Sequence, residues 1–290
     1  MSKMRAWIEA MRLRTLPVSL AGVVAGWAYA VASGGWDAVP GVICLVFALL
    51  AQIASNFANE YYDYTSGRDR RGREGPRRGV TEGDITPCAM RRATVITVGV
   101  ACCVGLSLVA WSGWWIIAVG AAVALGVFAY STGPYPLSTN GWGEVAVIAF
   151  FGLVPVTFTA YLMTGHWLSD AIVGSVAFGL MGANVLIINN YRDTDDDRAV
   201  GKRTLAVRWG ARCMPWLYLV NVVVASVLLW PAMRVLMPAW VCVLVYPVPG
   251  ALIASMLPRR RGAALTPLLG ATACVMLICA IALLIAAIQS

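Results

Sequence analysis

Charge is what this sequence has least of. Of its 290 residues only 12% are Asp, Glu, Lys or Arg, about half the share usual in soluble domains, while 60% are hydrophobic and the mean hydropathy is +0.74. So few charges cannot coat a water-facing surface, which excludes a soluble globular chain and a disordered one alike. There is no C-x-x-C spacing: the eight cysteines (Cys44, Cys88, Cys102, Cys103, Cys213, Cys242, Cys274 and Cys279) fall mostly inside apolar runs, so neither a disulfide framework nor a zinc site is expected. They read as packed thiols. Lysine occurs twice, at Lys3 and Lys202, and histidine once, at His166.

Long apolar runs are what the chain has in abundance. A helix needs about 20 such residues to cross a bilayer core, and nine candidate spans are found at 16–33, 38–58, 93–110, 114–130, 142–163, 171–190, 214–233, 239–257 and 264–288. Small residues inside them, such as Gly22 and Gly26, or Gly174, Gly179 and Gly182, allow close helix packing. The first span resembles a secretory signal, with Arg12 and Arg14 ahead of an apolar run ending Ala28-Tyr29-Ala30. With eight more spans after it, a retained first helix is expected. The expected fold is thus one all-α integral membrane domain over residues 1–290, nine helices bundled together.

Basic residues set the orientation. If the N-terminus is cytoplasmic, 21 of the 22 Lys and Arg lie on that side and only Arg234 on the other. The positive-inside rule then places the loops 59–92 and 191–212 in the cytoplasm of a plasma membrane. The formal charge of +8 is accounted for by this topology, with no soluble basic domain to act as a nucleic-acid footprint.

The 14 acids carry the chemical information, and most lie in two places. The second span runs into Asn59-Glu60-Tyr61-Tyr62-Asp63, followed by Asp69, and the sixth into Asn189-Asn190-Tyr191-Arg192-Asp193, followed by Asp195, Asp196 and Asp197. Both read N-x-Y-x-D. Four spans begin between them, an even number, so both are expected on one face. Duplication of this kind accompanies membrane sites built between halves. Residues four apart share a helix face, so Asn59 and Asp63 project together, as do Asn189, Asp193 and Asp197. Oxygen-only ligands with room for substrate phosphates suit Mg2+. Ordinary helix-end charge is the plainer explanation of either cluster alone. A calcium loop starting at Asp193 fails, because Arg198 stands where its turn glycine belongs and Thr204 where its bidentate glutamate belongs.

Around the acids stand Arg68, Arg70, Arg71, Arg73, Arg77 and Arg78, and then Arg198, Lys202 and Arg203. Most read as solvated loop charge. Metal-holding acids beside cations that grip phosphate would nonetheless form one coherent diphosphate site. Lys202, five residues beyond Asp197, is the more pointed signal in a chain whose other basic residues are nearly all arginine.

At these residues the sequence resembles the UbiA superfamily of intramembrane aromatic prenyltransferases. NEYYDYTSGRD (59–69) and NNYRDTDDDRAVGKRTLAVRWG (189–210) stand where that family has its two Asp-rich motifs, with Glu60 where Asp is more usual. RLRTLP (12–17), GPRRG (75–79) and YSTGPYPLSTNGWGE (130–144) extend the likeness toward the branch that prenylates 1,4-dihydroxy-2-naphthoate. The resemblance implies nine helices around a central cavity and a Mg2+-dependent transfer from polyprenyl diphosphate to the naphthoate. The ring carboxylate would leave as CO2, giving demethylmenaquinone. It further implies Asn59, Asp63, Asp69, Asp193 and Asp197 as ligands of two Mg2+ ions. Asp63, Asp193 and Lys202 would be catalytic, and Arg14, Asn59, Asn189, Lys202, Arg203 and Tyr130 would bind substrate. Tyr61, Tyr130 and Tyr191 could shield an allylic cation with their π faces, or simply pack. No catalytic base is evident, since His166 belongs to the opposite side.

The setting makes physical sense. An isoprene unit of five carbons is worth about 4 kcal/mol in lipid at about 0.8 kcal/mol per buried CH2, so the tail stays in the membrane while the diphosphate meets the wet mouth. The same scaffold with another acceptor (4-hydroxybenzoate or homogentisate) is the nearest alternative. A cation-coupled transporter is the alternative of another class.

Overall fold

The computed structural model describes residues 2–35 and 37–290, and every regular element among them is helical. That follows from the composition: where water is absent, a backbone satisfies its polar groups within its own helix. A short amphipathic helix α1 (Lys3–Met11) buries Ala6 and Ala10 and leads into α2 (Leu16–Ala32), α3 (Ala38–Thr65) and α4 (Pro87–Leu106). Then come α5 (Ile116–Ala129), α6 (Gly143–Thr164) and α7 (Ser169–Arg192). The short α8 (Thr194–Ala199) is followed by α9 (Met214–Leu236), α10 (Ala239–Val245), α11 (Pro247–Met256) and α12 (Thr266–Gln289).

Eight stretches of the described residues are long and apolar enough to cross a membrane. They match eight of the nine expected spans. The fourth, expected over 114–130, forms the 14-residue α5, about 21 Å long at 1.5 Å per residue against a core of about 30 Å. Gly113, at φ 77°, and the turn at Trp114–Trp115 use up its start. Two other boundaries differ. α3 runs seven residues past the apolar stretch that ended at 58, because its polar last turns face other protein groups. The 239–257 span breaks at Tyr246 (φ −136°, ψ −56°), where Pro247 removes a backbone donor and disfavours helix in the residue before it.

Caps fix two helix starts that position the site. Asp37 Oδ1 accepts the Val39 N–H (2.9 Å) ahead of α3. Thr86 Oγ1 accepts the Ala89 N–H (3.3 Å) ahead of α4, with Pro87 pre-set at the first helical position. α7 is the central helix, 72% buried over its span. α2 packs on α6 and α12, α3 on α4, and α9 on α7.

Close approach depends on glycine. A Cβ on Gly152 of α6 would lie 2.5 Å from the Gly179 nitrogen of α7, and one on Gly26 of α2 would lie 2.5 Å from the Val156 oxygen of α6. Around Gly152 the backbone widens into π-type turns over Ile148–Leu153, which turn Phe150 and Phe151 into the interior cavity. Farther down, buried polar groups tie α7 to α9 and α9 to α12. Asn221 Nδ2 donates to Asn184 Oδ1 (3.0 Å), and the hydroxyls of Tyr218 and Thr272 pair at 2.9 Å. Such interhelical bonds contribute about 0.6–2 kcal/mol each in lipid.

Candidate active site

The overrun of α3 brings Asn59, Glu60 and Asp63 to a mouth opposite the end of α7. All three are buried. α7 itself stops at Arg192, and Asp193 leaves helical geometry (φ −93°, ψ 9°) before α8 resumes. The expected continuous helix through Asn189, Asp193 and Asp197 is therefore interrupted. Even so, the Asp197 N–H donates to the Asp193 carbonyl at 2.8 Å, which preserves the spacing of the acids.

The two motifs share their cations. Lys202 Nζ lies 3.1 Å from Asp63 Oδ2 and 3.9 Å from Asp197 Oδ1. Arg73 reaches Asp193 Oδ2 at 2.8 Å with one nitrogen and Asp69 Oδ1 at 3.5 Å with another. Arg78, only 6% exposed, donates to Asn59 Oδ1 (3.1 Å) and stands 3.8 Å from Asp63 and 3.9 Å from Asp69. Arg192 grips Asp193 through two bonds of 2.7 and 2.8 Å and also donates to Asn189 Oδ1 at 2.8 Å. Ser131 Oγ accepts from Asn59 Nδ2 at 3.3 Å. Two of the acids respond oppositely to this setting. Burial pushes the Asp197 carboxyl up to about 6, against the pull of Lys202. Asp193 is equally buried, but Arg192, Arg73 and Lys202 outweigh desolvation and hold it below the usual carboxylate range.

Beneath this mouth a cavity of about 290 Å³ runs along the first half of α2 and along α3 and α6, from Arg12, Asp63 and Lys202 to Cys44, Leu108, Ile116 and Leu162. Its upper end is ionic and its lower end apolar, as an amphipathic substrate with a charged head and a hydrocarbon tail requires.

Asn59, Asp63, Tyr130, Asn189, Asp193, Asp197 and Lys202 line it. Asp69 opens instead on a small adjoining recess with Asp196, Asp197 and Lys202. Two expected substrate-binding residues are placed elsewhere. Arg14 is exposed and does not line the cavity, whereas Arg12 does, donating to Asn59 Oδ1 at 2.7 Å. Arg12 is the one non-glycine residue with positive φ (52°) among those described, a conformation that costs about 1–2 kcal/mol and swings its guanidinium inward. Arg203 has an exposed side chain, and its backbone N–H is pinned to the Thr139 carbonyl at 2.7 Å. Of the three tyrosines only Tyr130 faces the cavity. Tyr61 meets Tyr62 edge to face, and Tyr191 lies in the main core under Arg261, 5.1 Å from its ring centroid. Glu60 accepts the Val80 N–H (3.0 Å) and so anchors the loop that carries Arg78.

A hard cation fits this donor set. Asp63 Oδ1 is buried without a hydrogen-bond partner, beside further carboxylate and amide oxygens. Among the described residues no three acids converge on one point, because Arg73 and Lys202 stand between them.

Comparison with known proteins agrees with this arrangement. Residues 19–266 match the UbiA prenyltransferase family. The chain is 38% identical over 217 residues, 72% of its length and 70% of the relative's, to the 1,4-dihydroxy-2-naphthoate octaprenyltransferase of Escherichia coli. It is 36% identical over 287 residues, 97% of its length and 96% of the relative's, to the enzyme of that name from Mycobacterium leprae. Among solved structures, a UbiA homologue from Archaeoglobus fulgidus bound to DMAPP and Mg2+ superposes with TM-score 0.64 at 14% identity, covering 94% of this chain and 98% of that one. An apo UbiA homologue from Aeropyrum pernix gives 0.70 at 12% identity, covering 92% and 97%. Apolar helices of membrane-spanning length, a cavity charged at one end and paired Asp motifs sharing their cations thus meet in a chain that belongs to the UbiA prenyltransferase family and is an integral membrane prenyltransferase.

Proposed function

We propose that this enzyme transfers a polyprenyl group from polyprenyl diphosphate to 1,4-dihydroxy-2-naphthoate with loss of CO2. We further propose that it works as one domain of nine crossings, its mouth facing the cytoplasm across the plasma membrane. The observation that carries the reading is the sharing of Lys202 and Arg73 between the two motifs above an apolar cavity. Identity to naphthoate-prenylating relatives favours this acceptor. A short α5 still completes a crossing, because the chain between the motifs has to return to the side it left.

Diphosphate leaves readily only when its charge is neutralised. Arg12, Arg73, Arg78 and Lys202 bring fixed positive charge to the mouth, where low dielectric strengthens it. Mg2+, held by Asp63, Asp69, Asp193 and Asp197 with the Asn59 oxygen near, would supply a Lewis acid that stabilises the departing oxygen. Tyr130 then presents its ring to the allylic cation. The apolar walls exclude water that would quench it, and the electron-rich ring attacks. Departure of the carboxylate as CO2 returns an electron pair to the ring, so no protein base has to remove a ring proton.

Mg2+-dependent pyrophosphate release by purified protein, with and without the naphthoate, tests the reading. Release coupled to a prenylated, decarboxylated product is expected. Prenylation of 4-hydroxybenzoate in preference to the naphthoate would overturn the acceptor, and solute flux without pyrophosphate would overturn the enzyme assignment.

Two further results are expected. Arg12→Ala should raise KM for the prenyl diphosphate at least about tenfold, as loss of a charge-assisted bond of roughly 1.5–3 kcal/mol implies, while Arg14→Ala leaves it within about twofold, as for a surface residue. Metal binding requires ionised ligands, and Asp197 protonates near pH 6. The Mg2+ concentration for half-maximal rate should therefore rise as pH falls below about 6, approaching tenfold per unit, and stay flat above about 7. A metal titration repeated across pH checks the sign.

A further inference from the structure

Against the cavity wall lies a carboxylate that prenyl transfer as described does not use. Glu144, in the first turn of α6, is 7% exposed. Its Oε1 accepts a hydrogen bond from Asn190 Nδ2 at 2.8 Å, and its Oε2 is buried with no partner. Nothing in the N-x-Y-x-D pattern marks either residue, and they are 46 positions apart.

The pair has a directional consequence. An amide has one accepting end and one donating end, and here the donating end meets Glu144 Oε1. Glu144 therefore keeps Nδ2 of Asn190 turned toward itself. Oδ1 is turned away, on a residue that lines the cavity, and takes no hydrogen bond from the described protein groups. Of the other amide oxygens along the cavity, that of Asn59 is taken by Arg12 and Arg78 and that of Asn189 by Arg192, while Gln52 Oε1, on α3, is unpartnered. The long cationic side chains of the mouth can only donate, which suits phosphate oxygens and leaves the O–H of a hydroxyl without an acceptor. Around Asn190 the wall is completed by Tyr130, Ala146, Val147 and Leu186. An apolar wall that carries an acceptor of fixed orientation fits a planar aromatic ring that carries an O–H.

We propose that Asn190 Oδ1 binds a ring hydroxyl of the aromatic acceptor, and that Glu144 is the positioning residue that holds the amide in the accepting orientation. This rests on the reading above that the acceptor is a hydroxylated aromatic acid, and it names the group that recognises the hydroxyl.

The test compares acceptors on the full-length enzyme in lipid: 1,4-dihydroxy-2-naphthoate against 1-hydroxy-2-naphthoate and 4-hydroxy-2-naphthoate, each lacking one hydroxyl. A site built to hydrogen-bond a hydroxyl rejects the analogue without it. The wild type should lose at least about tenfold in kcat/KM with one of the two analogues. Asn190→Ala should lose as much with the parent acceptor and then treat that analogue and the parent within about threefold, with KM for the prenyl diphosphate unchanged. Glu144→Gln, whose amide can pair with either end of Asn190, should raise KM for the naphthoate and reduce the discrimination in part. It supplies the measurement if Asn190→Ala does not fold. Undiminished discrimination in both variants, or a shift confined to the prenyl diphosphate KM, would overturn the proposal. If the wild type instead prefers another phenolic acid, the naphthoate assignment falls. The same comparison run with that acid and its deoxy analogue then decides Asn190 separately.

Discussion

Asp63→Asn is expected to lower kcat/KM by at least about a thousandfold at saturating Mg2+, while the protein still inserts and folds. The substitution keeps the shape and removes the charge. Asp63 is 2% exposed, pairs with Lys202 at 3.1 Å, approaches Arg78 at 3.8 Å and keeps Oδ1 unpartnered. It thus stands at the centre of both the cation network and the proposed metal site. Losing one preorganised electrostatic group costs about 10²–10³ in rate, and here two functions share the group. The fold is spared because Lys202 retains Asp197 at 3.9 Å and Arg78 retains Asn59 and Asp69. Initial rates with a melting curve in detergent check both halves. Near-normal turnover would remove Asp63 from the site. Asp193→Asn should behave alike, with the added burden of leaving buried Arg192 without its charge partner.

Gly152→Leu is expected to act on the fold rather than the chemistry, destabilising it by about 3 kcal/mol or more, at the upper end of overpacking costs. Where a Cβ would stand, the nearest atoms are the backbone of Ser175 and Gly179 in α7. Backbone has no rotamer to yield. The central helix would be pushed from α6, and with it Asn189, Asn190 and Asp193 at its end. Gly120→Leu is the control, since a Cβ there meets nothing within 4 Å. A large drop in melting temperature for Gly152→Leu alone is the expected result. Equal behaviour of the two would show that α6 and α7 do not depend on this contact.

The sequence made the spans readable because hydrocarbon is an unforgiving solvent: apolar runs of sufficient length have few other fates. It was less informative where protein, rather than lipid, surrounds a helix. Hydropathy stops at residue 58, yet α3 continues to Thr65 because Asn59 and Asp63 face a polar mouth. The pairing of the two motifs was also readable, from matched spacing and charge asymmetry. Which guanidiniums serve the mouth was not. With nearly every cation an arginine, composition could not separate Arg73 and Arg78 from the exposed Arg70 and Arg71. Arg12 and Arg14 are separated by a single positive-φ turn that no hydrophobic pattern announces. Glu144 and Asn190 meet only through tertiary packing.

The short α5 bears on where the reaction happens. If α5 crosses the bilayer as proposed, its length of about 21 Å falls about 9 Å short of a hydrocarbon core of about 30 Å, a hydrophobic mismatch met by thinning the adjacent leaflets or by drawing its polar ends below their surface. Tyr130 follows the end of α5 directly and lines the cavity. On that reading the reaction centre lies recessed beneath the headgroups, at a depth a dissolved isoprenoid already occupies, and turnover should depend on bilayer thickness as well as on the residues that surround the diphosphate.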